Sequence, residues 1–256
     1  MIALSDVLWK IRERVERDIA LPGLARDKIM ATVVWLLERT LIRIGTDEYA
    51  KANNSYGLTT LRRRHVAVAG AKVEFEFRGK SGIEHSVSIT DRRIARIVQR
   101  CQELPGYELF KYIDDDGRKQ SVEASDINDY LREVTGREVT AKDFRTWAGT
   151  MLAAEALRAM GPAETKKQSE KNIVAAVDRT KARLGNTRAV CRKYYIHPVL
   201  IEAYLEGDVL PPIGEKEWKP RGETAAKLRR HEAETLAFLT ARAERRAVAV
   251  ALGDNS

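Results

Sequence analysis

The stretch that decides the fold class is Val73–Ile89, which reads VEFEFRGKSGIEHSVSI. Apolar and polar residues alternate over 73–77 and again over 83–89, which is the period of a β-strand. The GKSG segment at 79–82, between the two runs, is typical of a tight turn. The sequence therefore predicts a β-hairpin with Lys80 at its tip.

The sequence on either side of this hairpin predicts helices. Apolar residues recur at helical spacing over Asp6–Ala20 and, more densely, over Arg26–Ile44, where Gly45 is a suitable terminator. Beyond the hairpin, periodicity and capping residues predict four more: one with Asp91 as N-cap, then Ser125–Val134, Thr140–Met160 and Lys171–Leu184. The Ala-, Arg- and Glu-rich segment Ala225–Ala251 predicts a long exposed helix. We therefore expect an α+β protein, predominantly helical, with a small antiparallel hairpin or sheet element.

The composition favours a polyanionic partner. The chain has 256 residues and a formal net charge of +8, which suits nucleic acid better than an acidic protein surface. Two cysteines and four scattered histidines lack the spacing of a disulfide framework or a metal site, so we expect no metal and no other cofactor. Neither a membrane span nor a signal peptide is recognisable, so we expect a cytoplasmic protein with no membrane association.

The segment GNTRAVCRKYYIHP at 185–198 holds the most informative residue, Tyr195. A phenol beside fixed cations is a plausible nucleophile, because positive charge favours phenolate and neutralises a phosphate about to be attacked. The segment therefore suggests covalent chemistry on a phosphodiester. An ordinary half-buried tyrosine with basic neighbours is the alternative.

Three basic residues elsewhere could support such chemistry: Arg43, Lys80 and Arg145. Phosphoryl transfer needs compensation of charge on the non-bridging oxygens and a proton for the leaving oxygen, and the chain shows no P-loop and no carboxylate cluster for a metal. Each of these three basic residues has an alternative interpretation without a catalytic role. Arg43 could stabilise a helix C-terminus, Lys80 could be a solvated turn residue, and Arg145 could lie on a solvated helix face. No carboxylate lies three or four residues from Arg145, which favours a functional role.

Five stretches in order carry a resemblance to a known family. Together they resemble the catalytic domain of a type IB DNA topoisomerase of the small bacterial and viral kind, over approximately Ile29–Leu205. The order and separation of the stretches make the resemblance specific. They are LIRIG at 41–45, SYGLTTL at 55–61, FRGK at 77–80, KDFRTW at 142–147, and LGNT at 184–187 followed by KYY at 193–195.

The resemblance implies a role for each candidate residue. Tyr195 would attack a DNA phosphodiester to form a 3′-phosphotyrosine and release a 5′-hydroxyl. The family's spacing from the position of Asn186 favours Tyr195 over Tyr194 as this nucleophile. The guanidiniums of Arg43 and Arg145 would bind the non-bridging oxygens, and Lys80 would protonate the leaving 5′ oxygen. Asn186 would donate a hydrogen bond to a phosphate oxygen at a position where many relatives have His. Predicted DNA-binding residues are Lys142, Arg192, Lys193 and His197.

The resemblance also sets expectations for the domains. Residues 1–210 are expected to form the topoisomerase-type catalytic domain and residues 211–256 a C-terminal helical extension. Small members of the family carry an N-terminal domain that closes over the far side of the duplex, and we expect this chain to lack it.

The expected activity is type IB relaxation of supercoiled DNA. One strand of double-stranded DNA would be cut, allowed to rotate and rejoined without ATP by a monomer that is nucleoid-associated if bacterial. One alternative is a tyrosine recombinase or integrase, although these usually have His where Lys142 stands. The other alternative is a basic DNA-binding module without catalysis.

Overall fold

The structure, a computed structural model, describes residues 2–211 and 227–253. The chain divides into two compact units. One comprises Lys10–Phe144, called here the hairpin unit, and the other comprises Met1–Trp9 with Arg145–Ser256, called here the tyrosine unit. Among the helices in the described ranges, none has both the length and the apolar character needed to cross a bilayer.

The described elements are mainly helical. The α-helices are α1 Ile2–Ser5, α2 Leu8–Ile19, α3 Arg26–Thr40, α4 Asp47–Asn53, α5 Arg92–Glu103, α6 Ala124–Thr135, α7 Ala141–Met160, α8 Lys166–Leu184, α9 Arg188–Val190, α10 Pro198–Leu205 and α11 Arg230–Gly253. The strands are β1 Val66–Ala69, β2 Lys72–Arg78, β3 Glu84–Thr90, β4 Lys111–Ile113 and β5 Lys119–Ser121. The α+β, predominantly helical class is confirmed.

The hairpin unit contains both sheets. Strands β1, β2 and β3 form one antiparallel sheet in that order, and β4 pairs with β5 in a second. Phe75 pairs with Val87 in the register of the predicted hairpin. Val73, Phe75 and Phe77 are buried, and α5 packs on the sheet at β1 and β2. The hairpin is therefore confirmed, because one face of β2 supplies the core while the other stays polar.

Helix α3 ends four residues earlier than its apolar pattern predicts. Leu41 takes a left-handed conformation with φ 59° as the C-cap, and its N–H bonds to the Leu37 carbonyl. Arg43 therefore follows the helix in an extended segment, so its interpretation as a cation at a helix C-terminus is wrong. The apolar run continues past Thr40 because Leu41 and Ile42 are buried outside the helix.

The other predicted helices agree with the structure except at two starts, whereas α1, α4, α9 and α10 were not predicted. Asp91 is the N-cap of α5, and its carboxylate accepts from the N–H groups of Arg93 and Ile94. Helix α8 begins at Lys166 rather than at the predicted Lys171, because the hydroxyl of Thr165 caps it. Helix α11 begins at Arg230 rather than Ala225, and the predicted residues 225–226 lie outside the described residues.

The tyrosine unit is helical. The hydroxyl of Tyr204 on α10 accepts from Asn172 of α8 at 2.7 Å and donates to the carbonyl of Gly161 at 2.6 Å. The indole N–H of Trp147 on α7 donates to buried Glu232 of α11 at 3.3 Å. Ala233 and Leu239 are also buried, so the prediction that this helix is exposed is wrong for the start of α11. Residues 212–226 and 254–256 of the expected extension lie outside the described part.

Thr140 and Asp143 form one half of a capping box at the start of α7. The Asp143 carboxylate accepts from the Thr140 N–H at 2.9 Å and from the Thr140 hydroxyl at 2.8 Å. This arrangement satisfies a donor that precedes the helix and places a negative charge in its first turn. It fixes where the helix that carries Arg145 begins.

Replacing Asp143 by Ala is expected to lower the free energy of unfolding by about 1 kcal/mol, because the capping interaction is lost. Asp115→Ala, in an exposed turn of the same unit, is the matched control and should leave stability unchanged. Urea denaturation of both variants measures the effect. Equal stability of the two variants would contradict the role given to the capping box.

Candidate active site

Arg43 is held by the backbone of the 55–61 segment. Its carbonyl accepts from the N–H of Leu58 at 2.9 Å, and the next carbonyl, of Ile44, accepts from Thr59 at 2.8 Å. A Cβ added to Gly57 would lie 2.5 Å from the Arg43 carbonyl oxygen, so only glycine permits this approach. Hydrogen bonds from the 3₁₀ turn Leu58–Thr60 thus fix the backbone from which the Arg43 side chain extends.

Lys80 lies in the hairpin turn, as predicted, and its side chain is exposed. The turn is tight: the Gly79 N–H bonds to the Ile83 carbonyl at 2.8 Å, and Ser81 takes a left-handed conformation with φ 63°. The Lys80 ammonium lies 5.4 Å from the ring centroid of Tyr49 on α4. The ammonium is therefore presented at the end of a rigid hairpin.

The 55–61 segment connects the two basic residues of this unit. The N–H of Tyr56 bonds to the carbonyl of Arg78 at 2.8 Å, two residues before Lys80. The N–H of Leu58, two residues further on, bonds to the carbonyl of Arg43. One short segment therefore positions two side chains that are 37 positions apart in sequence.

Lys142, also in the hairpin unit, is exposed in the first turn of α7.

Arg145 is buried, with 4% of its surface exposed. One guanidinium nitrogen donates to the carbonyl of Leu184 at 2.8 Å, and its central carbon lies 5.2 Å from the ring centroid of Tyr195. The interpretation of Arg145 as a charge on a solvated helix face is therefore wrong.

The end of α8 brings Asn186 to the same region of the tyrosine unit. Gly185 caps the helix in a left-handed conformation with φ 59°, and Asn186 follows it, half-buried. Leu184, whose carbonyl holds Arg145, lies two residues before Asn186. The end of α8 therefore binds Arg145 through a backbone carbonyl and carries Asn186.

Tyr195 is the last residue of a single π-helical turn, Cys191–Tyr195. Such turns are rare and are frequent at functional sites. Tyr195 is half-buried, whereas Tyr194 is 50% exposed and has the Lys193 ammonium 5.2 Å from its ring centroid. Arg192 and Lys193 are exposed. Because the buried Arg145 contacts the ring of Tyr195, this geometry supports Tyr195 over Tyr194 as the nucleophile.

Helix α7 approaches the Tyr195 backbone at Gly149, a residue the sequence reasoning missed. A Cβ added to Gly149 would lie 2.4 Å from the Tyr195 carbonyl oxygen and 3.1 Å from the Tyr195 Cβ. The next residue, Thr150, accepts from the N–H of His197 at 3.1 Å. A lone glycine in an Ala-rich helix costs about 1 kcal/mol relative to alanine, and this cost is the sequence signal that could have found it.

His197 is neutral at physiological pH in this fold. Burial lowers the pKa of its imidazole below the ordinary value, and its Nδ1 is buried without a hydrogen-bond partner among the described residues. The side chain therefore offers no fixed positive charge to a phosphate. Its backbone contact with Thr150 is a structural one.

The side chains in each unit suit acid–base and electrostatic chemistry. Within the ranges 2–211 and 227–253, no group of three or more His, Cys, Asp or Glu residues is placed to hold a metal ion. The tyrosine unit supplies a phenol, a buried guanidinium and an amide. The hairpin unit supplies a second guanidinium and an ammonium.

Replacing Gly149 by Ala is expected to destabilise the protein, although alanine favours helix by about 1 kcal/mol. The added methyl group would overlap the Tyr195 carbonyl, and forced overpacking costs about 1–3 kcal/mol. Ala148→Gly, at the neighbouring position, calibrates helix propensity and should cost about 1 kcal/mol. A stabilised Gly149→Ala protein in thermal or urea unfolding would show that this approach is not tight.

Comparison with known proteins identifies relatives of this chain. The model of the family described as eukaryotic DNA topoisomerase I, catalytic core, matches residues 1–206. The chain is also 30% identical over 202 residues to a protein named DNA topoisomerase 1B from Acanthamoeba polyphaga mimivirus, with 76% of this chain and 60% of that protein covered. The chain thus spans about three fifths of the length of this relative. By the family match over most of its length, the chain belongs to the topoisomerase I catalytic-core family.

Proposed function

We propose that this protein is a type IB DNA topoisomerase. It cuts one strand of double-stranded DNA, holds the end as a phosphotyrosine, lets the duplex rotate, and reseals the strand. The observation that carries the proposal is the buried Arg145 guanidinium 5.2 Å from the Tyr195 ring, in a chain of this family. The relative's name supports the same activity.

In the proposed cleavage step, the Tyr195 oxygen attacks phosphorus and the bond from phosphorus to the 5′ oxygen breaks. The phenol loses its proton to solvent, and Lys80 gives a proton to the departing 5′ oxygen. One phosphoester replaces another, so resealing by the reverse step needs no ATP. Arg43 and Arg145 neutralise the non-bridging oxygens, and guanidinium suits this role because it donates two parallel hydrogen bonds.

Asn186 is proposed to stabilise charge rather than move a proton. A neutral amide donates a hydrogen bond to a phosphate oxygen but does not titrate near pH 7. The end of α8 supports this role, since it also holds Arg145 through Leu184. Lys142, Arg192 and Lys193 are proposed phosphate contacts on the basis of their charge and exposure. His197, neutral and attached to Thr150, is the weakest member of that set.

The partner is proposed to be duplex DNA, bound by one copy of the chain in the cytoplasm. The net charge of +8 supports a polyanionic partner. Both cysteines are free and buried, and burial raises the pKa of the Cys101 thiol to about 12, which agrees with a reducing compartment. Residues 1–210 are proposed as the catalytic domain and 211–256 as an extension, and the family match over 1–206 supports this division.

Tyr195→Phe is expected to abolish relaxation of negatively supercoiled plasmid, because the nucleophilic oxygen is removed. Tyr194→Phe is the matched control at the adjacent position and is expected to keep most of the activity. Agarose gels of a relaxation time course measure both. If Tyr195→Phe relaxed plasmid at the parental rate, the covalent mechanism would be wrong.

The proton-donor role of Lys80 can be separated from phosphate binding by changing the leaving group. Lys80→Ala should slow cleavage by about a hundredfold or more, within the usual range for general acid catalysis. A duplex with sulfur in place of the 5′ bridging oxygen should be cleaved at a near-parental rate, because a thiolate leaves without a proton.

The control for this experiment is Arg145→Ala, which removes a phosphate-binding group rather than the acid. The sulfur substrate should not restore its rate. Equal rescue of both variants, or no rescue of Lys80→Ala, would contradict the role of Lys80 as the acid. Rapid-quench measurement of single-turnover cleavage distinguishes these results.

A further inference from the structure

A second group of cations lies in the hairpin unit, apart from Arg43 and Lys80 in sequence. Arg62, Arg63 and Arg64 line a cavity of about 570 Å³ together with Gly106 and Tyr107. Backbone hydrogen bonds join the two sides of this cavity, since the Arg63 N–H bonds to the Tyr107 carbonyl at 3.2 Å and Leu109 bonds to Leu61 at 2.7 Å. The cavity is therefore part of the fold of this unit.

The three arginines are consecutive in the chain and all line the cavity. Within the described residues, none of them forms an ion pair, whereas other arginines of the same unit do. The paired ones include Arg12, Arg14, Arg93, Arg118 and Arg132. The guanidinium of Arg62 instead lies 5.2 Å from the ring centroid of Tyr56. Three adjacent like charges repel one another, and an anion in the cavity would relieve that repulsion.

His65 shows how positive this region is. Its Nδ1 accepts from the backbone N–H of Arg62 at 3.0 Å, which leaves the proton of a neutral ring on Nε2. Burial, together with the charges of Arg64 and Arg62, lowers the pKa of His65 to about 4. The neutral imidazole therefore holds the backbone at Arg62 and adds no charge to the region.

A buried ammonium lies behind the cavity wall. Lys111 is 4% exposed, and its Nζ donates to the carbonyl of Pro105 at 2.9 Å. This Nζ would lie 2.5 Å from a Cβ at Gly106, a residue that lines the cavity. Burial and the charge of Arg63 lower the Lys111 pKa, and Glu108 opposes them. Three arginines therefore line the cavity, and the Lys111 Nζ and a Glu108 carboxylate oxygen lie within 4 Å of a Cβ at the lining residue Gly106.

The neighbouring features suit a nucleic acid backbone. Tyr107 at the rim is 79% exposed, which places an aromatic ring and a hydroxyl donor beside the arginines. The chain that leads into the arginines, Leu58–Leu61, is the chain that fixes the Arg43 backbone. We propose that Arg62, Arg63 and Arg64, with Lys111 behind Gly106, form a second phosphate site that binds the backbone of duplex DNA away from the cleaved phosphodiester.

This inference rests on the proposed function for its substrate, duplex DNA. The test uses the full chain carrying Tyr195→Phe, so that binding is measured without covalent capture. Arg63→Ala and Arg64→Ala remove one exposed charge each, and Arg118→Ala removes one exposed, ion-paired charge from another surface of the same unit. Fluorescence anisotropy with labelled duplexes of two unrelated sequences is recorded across a salt titration.

Each cavity variant is expected to weaken binding by about threefold to tenfold on both sequences, and to reduce the slope of log affinity against log salt by about 0.9. Arg63→Lys should keep that slope. If Arg63→Ala and Arg64→Ala behave like Arg118→Ala, with unchanged unfolding temperatures, the site does not bind DNA and the proposal is overturned.

Two further readouts identify the ligand and separate this proposal from the proposed function. If inorganic phosphate binding falls in the cavity variants while duplex binding does not, the site serves a free anion and the DNA assignment is overturned. Absence of any covalent adduct in the chain with Tyr195 intact would overturn the proposed function. Loss of salt-dependent affinity in the cavity variants would still support the phosphate site.

Discussion

The tyrosine unit depends on one close approach, between Gly149 of α7 and the carbonyl of Tyr195. There is no room for a methyl group at this point, since an added Cβ would lie 2.4 Å from the oxygen. Arg145 lies one helical turn earlier on α7, so its guanidinium and the Tyr195 ring are positioned by the same helix. The proposed nucleophile and the proposed phosphate-binding cation are thus both held by contacts with the backbone.

The hairpin unit uses the same device with different elements. Gly57 lets the 55–61 segment lie against the Arg43 backbone, and Tyr56 in that segment binds the strand that leads to Lys80. In both units, therefore, a glycine at a backbone crossing positions a candidate site residue that is distant in sequence, Tyr195 in one and Arg43 in the other. Catalysis by fixed cations requires this kind of preorganisation, because its advantage lies in charges that need not rearrange.

Periodicity and capping predicted most of the fold because these signals are local. The β2–β3 alternation, the Asp91 N-cap and the Thr140–Asp143 box each depend on residues close in sequence. The predicted end of α3 was wrong because Leu41 and Ile42 are buried by tertiary contacts outside the helix. The predicted exposure of α11 was wrong because its first residues are buried against α7. The candidate residues came from a resemblance in motif order. Gly149 and the three cavity arginines depend on contacts between distant segments, which one sequence does not reveal.

The central claim is that Tyr195 becomes joined to DNA. The most direct measurement is to denature the protein during reaction with an end-labelled duplex, isolate the covalent complex, and map the modified peptide and the attached strand end by mass spectrometry. The account predicts an adduct on Tyr195 through a 3′-phosphate, with a free 5′-hydroxyl on the other fragment. An adduct on Tyr194, a linkage to the 5′ end, or relaxation activity without any covalent complex would contradict it.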